Sequence, residues 1–244
     1  APFNKETVNA LVSAGFSKPS AVQAICWPLA VSGSDVVGVA KTGSGKTLGF
    51  LLPAFKLVSE REQGKDVISA LVLAPTRELA MQIEAECCKF AGTVRSCCLY
   101  GGVPVAQSKQ DLKTKRPQVV IATPGRLVDL LGQGSLTLDS CRYVVMDEAD
   151  RMLDMGFEPQ ITKVFAALPP VQPAGKKRGK TPGRQTLLFT ATWPKGVRKM
   201  AGKFLAEDAV QIIVGENAEG ELEANKAIKQ RFIESTDDEK DAKL

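Results

Sequence analysis

The sequence predicts an α/β fold in which a mostly parallel sheet is flanked by helices on both faces. Three observations carry that prediction. Short apolar runs rich in Val, Ile and Leu recur without polar alternation, the pattern of strands buried on both faces. Stretches long enough for crossover helices separate them. A glycine-rich loop follows the first run directly and opens onto a helical stretch, an arrangement that turns a strand into an anion-binding helix N-terminus.

The strands are expected at residues 35–40, 70–74, 96–100, 118–122, 143–146, 186–189 and 210–214. Crossover helices are expected at 78–90, 125–131 and 150–167. Two stretches break the alternation. Residues 169–185 are rich in Pro, Gly and Lys, carry Lys176, Lys177, Arg178, Lys180 and Arg184 and no acid, and read as a basic surface loop inserted into the domain. Residues 216–244 are acid-rich. Their first part, 216–227, reads as a linker, and 228–233 then alternates like a strand, as if a second domain opened there. The expected organisation is therefore a domain over 1–215, a linker over 216–227 and the start of a second domain over 228–244.

Composition narrows the chemistry. With 44% hydrophobic and 24% charged residues, the 244-residue chain can bury a core and is not of disordered type. No segment approaches about 18 consecutive apolar residues, which excludes a membrane-spanning helix. The net charge of +5 permits a nucleic-acid partner without demanding one. Histidine is absent, which excludes Ser-His-Asp and Cys-His triads, a His-ligated metal and a histidine general base. The six cysteines fit neither zinc spacing nor a disulfide framework, and read as small buried hydrophobes.

Lys41-Thr42-Gly43-Ser44-Gly45-Lys46-Thr47 lies between the first strand and a helical stretch. Glycines there let backbone N–H groups converge on a phosphate, Lys46 reaches the outer phosphates, and the Thr47 hydroxyl suits Mg²⁺. Val144-Val145-Met146 runs into Asp147-Glu148-Ala149-Asp150. A carboxylate at the C-terminal end of a buried parallel strand sits where such sheets bind ligands. Asp147 is thus the candidate to hold Mg²⁺, directly or through water, and Glu148 to orient an attacking water.

Asp147-Glu148-Ala149-Asp150 also spells the signature of the DEAD-box RNA helicases of superfamily 2, and the rest of the chain resembles that family in order. Gly15-Phe16-Ser17-Lys18-Pro19-Ser20-Ala21-Val22-Gln23 resembles the Q motif. The stretch from Ala40 to Thr47 resembles motif I, with the alanine usual in the family at its first position. Pro75-Thr76-Arg77-Glu78-Leu79-Ala80 resembles motif Ia, Gly101-Gly102 the GG element, Thr123-Pro124-Gly125-Arg126 motif Ib, and Thr190-Ala191-Thr192 motif III.

The resemblance implies an N-terminal RecA-like P-loop NTPase domain, with ATP and Mg²⁺ as cofactors. Gln23 would read the adenine edge and Phe16 would help build that pocket. Thr42, Gly43, Ser44, Gly45, Lys46 and Thr47 would hold the phosphates, with Lys46, Asp147 and Glu148 catalytic. Thr190 and Thr192 would bond toward Asp150 and couple nucleotide state to RNA. Pro75, Thr76, Arg77, Gly101, Gly102, Thr123, Pro124, Gly125 and Arg126 would line an RNA backbone track that reads no base. Implied partners are RNA, a second RecA-like domain and protein cofactors, with no membrane.

Family members also carry an aromatic residue upstream of the Q motif that stacks on adenine. Phe3 lies close to Phe16 for that part, so the resemblance leads to the expectation of a stacking residue before residue 1. Trp27-Pro28 and Trp193-Pro194 resemble a subgroup with nuclear and ribosome-assembly members, so the expected compartment is intracellular, the nucleus or nucleolus before the cytoplasm. The function implied is ATP-dependent RNA binding with local duplex unwinding or remodelling, this chain alone being nearly inactive. The alternative is an ATP-controlled RNA clamp or interaction scaffold with little turnover.

Overall fold

The computed structural model describes residues 3, 5–61, 66–171 and 183–214. Seven strands form one sheet in the order β3-β4-β2-β5-β6-β1-β7, every pairing parallel. In chain order they are β1 (Val36–Ala40), β2 (Ala70–Leu73), β3 (Ser96–Leu99), β4 (Val119–Ala122), β5 (Tyr143–Met146), β6 (Gln185–Thr190) and β7 (Val210–Val214). Each falls on a predicted run. The five inner strands are buried throughout, as their unbroken apolar composition requires. The two edge strands depart from that uniform burial. β3 alternates, and β7 exposes Val210 and Ile213, because only one side of an edge strand is covered by a neighbour.

Helices α1 (Lys5–Ser13), α2 (Ala21–Ser32), α3 (Lys46–Arg61) and α4 (Arg77–Phe90) pack over one face of the sheet. Helices α5 (Val105–Lys115), α6 (Pro124–Gly132), α7 (Ala149–Asp154), α8 (Glu158–Ala166) and α9 (Lys195–Phe204) cover the other. The single helix expected at 150–167 is two. Gly156 takes φ 75°, a left-handed conformation open to glycine, and the chain turns between α7 and α8. No helix among the described residues is long and apolar enough to cross a membrane.

The ends of the predicted basic loop belong to the core. Arg184 is buried and donates to Pro169 O (2.9 Å), Phe204 O (3.0 Å) and Thr186 Oγ1 (3.1 Å), with its guanidinium 4.7 Å from the Phe165 ring. It is therefore an internal clip and not a surface cation. Gln185 likewise is buried at the start of β6, where its amide donates to Ala30 O and Ser34 O. Asp35, just before β1, accepts from Thr186 N and Ala206 N, both at 2.8 Å. Burial raises its carboxyl, while those N–H groups and Arg184 work the other way. The remainder of the loop, 172–182, and the linker and second-domain assignments at 216–227 and 228–244 lie outside the described residues.

The cysteine reading holds for Cys26, Cys87, Cys97 and Cys141, which are buried with thiols pushed up to about 12. Cys88 is exposed.

Candidate active site

Strand order creates the site. β5, β6 and β1 are consecutive in the sheet although far apart in sequence. Their C-terminal ends therefore meet, bringing together the glycine loop after β1, Asp147-Glu148 after β5 and Thr190–Thr192 at the end of β6. The other group of neighbours, β3, β4 and β2, carries Gly101-Gly102, Thr123–Arg126 and Pro75–Arg77 at the same edge. One rim of the sheet is thus divided between two sets of chemistry.

In the glycine loop Gly43 and Gly45 have φ of +76° and +89°, and α3 starts at Lys46. Gly45 is also closely approached: a Cβ there would sit 2.6 Å from Gln23 Nε2. Gln23 is buried and tied on both sides. Its Oε1 accepts from Ser20 N (3.0 Å), completing a capping box at the start of α2, and its Nε2 donates to Gly45 O (2.9 Å). The amide keeps one further proton and one further lone pair, the pair of functions that reads an adenine edge. Lys46 is buried, with Nζ donating to Ala40 O at 2.8 Å.

Asp147 is buried, and its carboxyl is pushed up to about 6 by that burial, opposed by the Lys46 ammonium. Glu148 N donates to Asp147 Oδ1 (3.0 Å). Glu148 itself has φ 53°, an unusual conformation for a non-glycine residue that costs about 1–2 kcal/mol and turns the strand into α7. Its carboxylate lies 3.3 Å from Arg151 Nη1.

These groups line one cavity of about 340 Å³ together with Phe16, Gln23, Thr42, Gly43, Gly45 and Thr47. Phe16 is half exposed and meets Phe90 edge to face at 6.1 Å. Leu79, Gln82 and Glu86 of α4 line the same cavity and were not anticipated. Their i, i+3, i+7 spacing, one face of a helix, was the available signal. Phe3 is not among the lining residues. It packs edge to face on Trp27 at 5.0 Å, and the Trp27 indole N–H donates to Leu48 O in the first turn of α3.

The donor set fits a nucleotide and Mg²⁺. Ser44 Oγ, in the loop itself, is buried without a hydrogen-bond partner among the described residues, as expected of a hydroxyl awaiting a phosphate. A threonine hydroxyl and a buried carboxylate are the hard oxygen donors that Mg²⁺ prefers.

The coupling residues are arranged differently from expectation. Thr192 bonds to Asp150 twice, through N (3.0 Å) and Oγ1 (2.8 Å), both on Oδ2. Thr190 does not reach Asp150. It is buried at the end of β6, and its hydroxyl donates to Thr192 O (2.8 Å), shaping the turn that presents Thr192.

On the other half of the rim, Thr76 caps α4 by accepting from Leu79 N (3.2 Å), after a buried Pro75. Arg77 is exposed, paired with Glu78 at 2.6 Å. Gly102 has φ +90° and lies against Arg77, whose Nη1 would be 3.6 Å from a Cβ there. Pro124 opens α6 at its first position, with Gly125 half buried behind it. Thr123 is buried and makes no side-chain cap bond. Arg126, expected to line the RNA track, turns its guanidinium inward. It is 7% exposed, and both terminal nitrogens are used inside the protein, on Ser108 Oγ and Val103 O, each at 2.6 Å.

Residues 20–200 match the DEAD/DEAH box helicase family. The chain is 48% identical over 234 residues to the ATP-dependent RNA helicase DBP2 of Mycosarcoma maydis, covering 94% of this chain and 39% of that protein. It is 49% identical over 233 residues to the ATP-dependent RNA helicase-like protein DB10 of Nicotiana sylvestris, covering 94% of this chain and 36% of that one. Its fold is similar to the crystal structure of a DEAD box protein from the hyperthermophile Methanococcus jannaschii, with a TM-score of 0.75 and 32% identity over 87% of this chain and 54% of that one. The chain spans less than half the length of these two curated relatives.

Proposed function

Because the chain belongs to the DEAD/DEAH box helicase family, we propose that it is the ATP-binding, N-terminal RecA-like domain of an ATP-dependent RNA helicase. In that role it grips the RNA backbone without reading sequence, and with a second RecA-like domain it locally unwinds or remodels RNA. The observation that carries this reading is the single cavity that gathers Gln23, Gly43, Gly45, Lys46, Thr47, Asp147 and Glu148 from three separate parts of the chain.

Within it each residue has a task. Gln23 reads the adenine edge with its unused proton and lone pair, and Phe16 walls that pocket. Backbone N–H groups of 43–47 and the Ser44 hydroxyl take phosphate oxygens. Lys46 exchanges Ala40 O for the outer phosphates. Thr47 and Asp147 would hold Mg²⁺, which when bound would supply neutralisation of phosphate charge. Glu148 orients the attacking water. Such catalysis is positioning and charge stabilisation, so half of a two-domain site turns over slowly. The Asp150–Thr192 link joins the two strand ends on which the nucleotide acts, and so carries nucleotide state along the rim toward the RNA contacts.

The test is steady-state ATP hydrolysis with and without single-stranded RNA, for this chain and for a version extended through a second RecA-like domain, each beside Lys46→Ala. RNA-stimulated hydrolysis confined to the extended version and abolished by Lys46→Ala is the expected result. Unwinding by the 244-residue chain alone, or no response to RNA in either version, would overturn the proposal. RNA held tightly in ATP with little turnover would select the clamp instead.

A further inference from the structure

The surroundings of Arg126 lead to an inference that rests on the RNA-binding reading above: we propose that Arg126 is a positioning residue of the RNA track, which holds the backbone after Gly101-Gly102 in register with the start of α6 and does not itself touch RNA. The segment it grips has little else to hold it. Beyond the turn over Gly101-Gly102 itself, the Arg126 bond to Val103 O is the one side-chain hydrogen bond to the backbone of 101–103 among the described residues. Pro104, which precedes α5, has no N–H and gives no side-chain cap. Gly102, at φ +90°, adds no side chain to anchor the turn.

One guanidinium supplies what is missing. From the third residue of α6 it reaches Val103 O with Nη2 and the buried hydroxyl of Ser108, on α5, with Nη1, both at 2.6 Å. Three pieces of chain are thereby locked together: the start of α6, the turn after the two glycines, and α5. Two of these carry glycines proposed for the RNA track, the exposed Gly101-Gly102 and the half-buried Gly125. Their spacing must match successive phosphates, so it has to be set by something rigid. The clip has a cost, since Arg126 Nε is buried with no partner among the described residues. An unmet buried donor of that kind is destabilising, and an apolar side chain would fill the same space without it. The two acceptors are met by two different nitrogens of one planar fork, and lysine, whose three donors share a single nitrogen, does not reproduce that spacing.

The experiment is anisotropy of a labelled single-stranded RNA titrated with this chain at several salt concentrations, with thermal unfolding and adenine-nucleotide affinity measured in parallel. Arg126→Lys and Ser108→Ala are compared with Arg77→Ala. Arg126→Lys is expected to weaken RNA binding roughly tenfold, and Ser108→Ala to weaken it less, in the same direction. In both, the dependence of log affinity on log salt keeps the unmutated slope, because no phosphate contact has been lost, and nucleotide affinity is that of the unmutated chain. Arg77→Ala lowers that slope by about 0.7 per phosphate released.

Unchanged RNA affinity in both folded clip variants would overturn the inference. A slope reduced in Arg126→Lys as in Arg77→Ala would also overturn it, by showing direct contact. Parallel loss of RNA and nucleotide affinity would reduce Arg126 to general stability. Should Arg126→Lys fail to fold, Ser108→Ala alone decides, because it removes one arm and leaves the charge in place. No RNA binding by the unmutated chain would remove the underlying reading, and this inference with it, before any variant is compared.

Discussion

Replacing Gly45 with alanine probes the junction between the phosphate loop and the adenine-reading segment, and the cost can be worked from the structure. At φ +89° a side chain costs about 1–2 kcal/mol in backbone strain alone. The added Cβ would also lie 2.6 Å from Gln23 Nε2 and 2.9 Å from Ser20 Oγ. Neither neighbour is a free end, because Gln23 is buried and both belong to the capping box of α2. Relieving the clash breaks the Gln23–Gly45 bond, worth about 1 kcal/mol, and the capping interaction, worth about 1 kcal/mol more. The total is about 3–4 kcal/mol.

Gly43→Ala is the internal control. Its φ of +76° incurs the same backbone strain, but nothing lies within 4 Å of the new Cβ. Thermal unfolding by circular dichroism should show Gly45→Ala melting about 10 °C below the unmutated chain and Gly43→Ala about 4 °C below. Titration with a fluorescent ATP analogue should show the larger loss of affinity in Gly45→Ala. Equal melting losses in the two variants would refute the reasoning, since they would mean that Gln23 and Ser20 do not hold the loop.

Two further outcomes are expected. Thr192→Val removes one of the two bonds to Asp150 and keeps the other, so RNA-stimulated hydrolysis by the two-domain protein should fall roughly tenfold, or about 1.4 kcal/mol in barrier, in a steady-state assay. Arg184→Met leaves Pro169 O and Phe204 O without their donor and takes the cation away from Asp35, so urea denaturation near neutral pH should show about 3 kcal/mol of lost stability. Arg184 opposes the burial that raises the Asp35 carboxyl, so removing it raises that carboxyl further. The penalty falls on the ionised form, present above the folded pKa, and the loss should therefore shrink as pH falls through the Asp35 titration. A loss that grows toward acid pH would contradict that assignment.

What the sequence determined by itself was local. A run of Val and Ile long enough for one strand, glycines before Lys46, Thr76 ahead of a helical face and a carboxylate at a strand end are each decided by residues a few positions apart, so pattern alone exposed them. The family motifs are legible for the same reason. Contacts between distant segments were decided only by the tertiary structure. Strand order made neighbours of β5, β6 and β1, and with them the site. Close packing chose Thr192 over Thr190 as the partner of Asp150, drew Arg184 out of a basic loop into the core, and tied Gln23 to Gly45 across 22 positions. It also turned Arg126 inward. A guanidinium can face a phosphate or a buried carbonyl with equal chemical sense, and nothing in Thr-Pro-Gly-Arg says which. That choice belongs to Val103 and Ser108, which come within reach only when β3 and β4 pair in the sheet and α5 packs beside them.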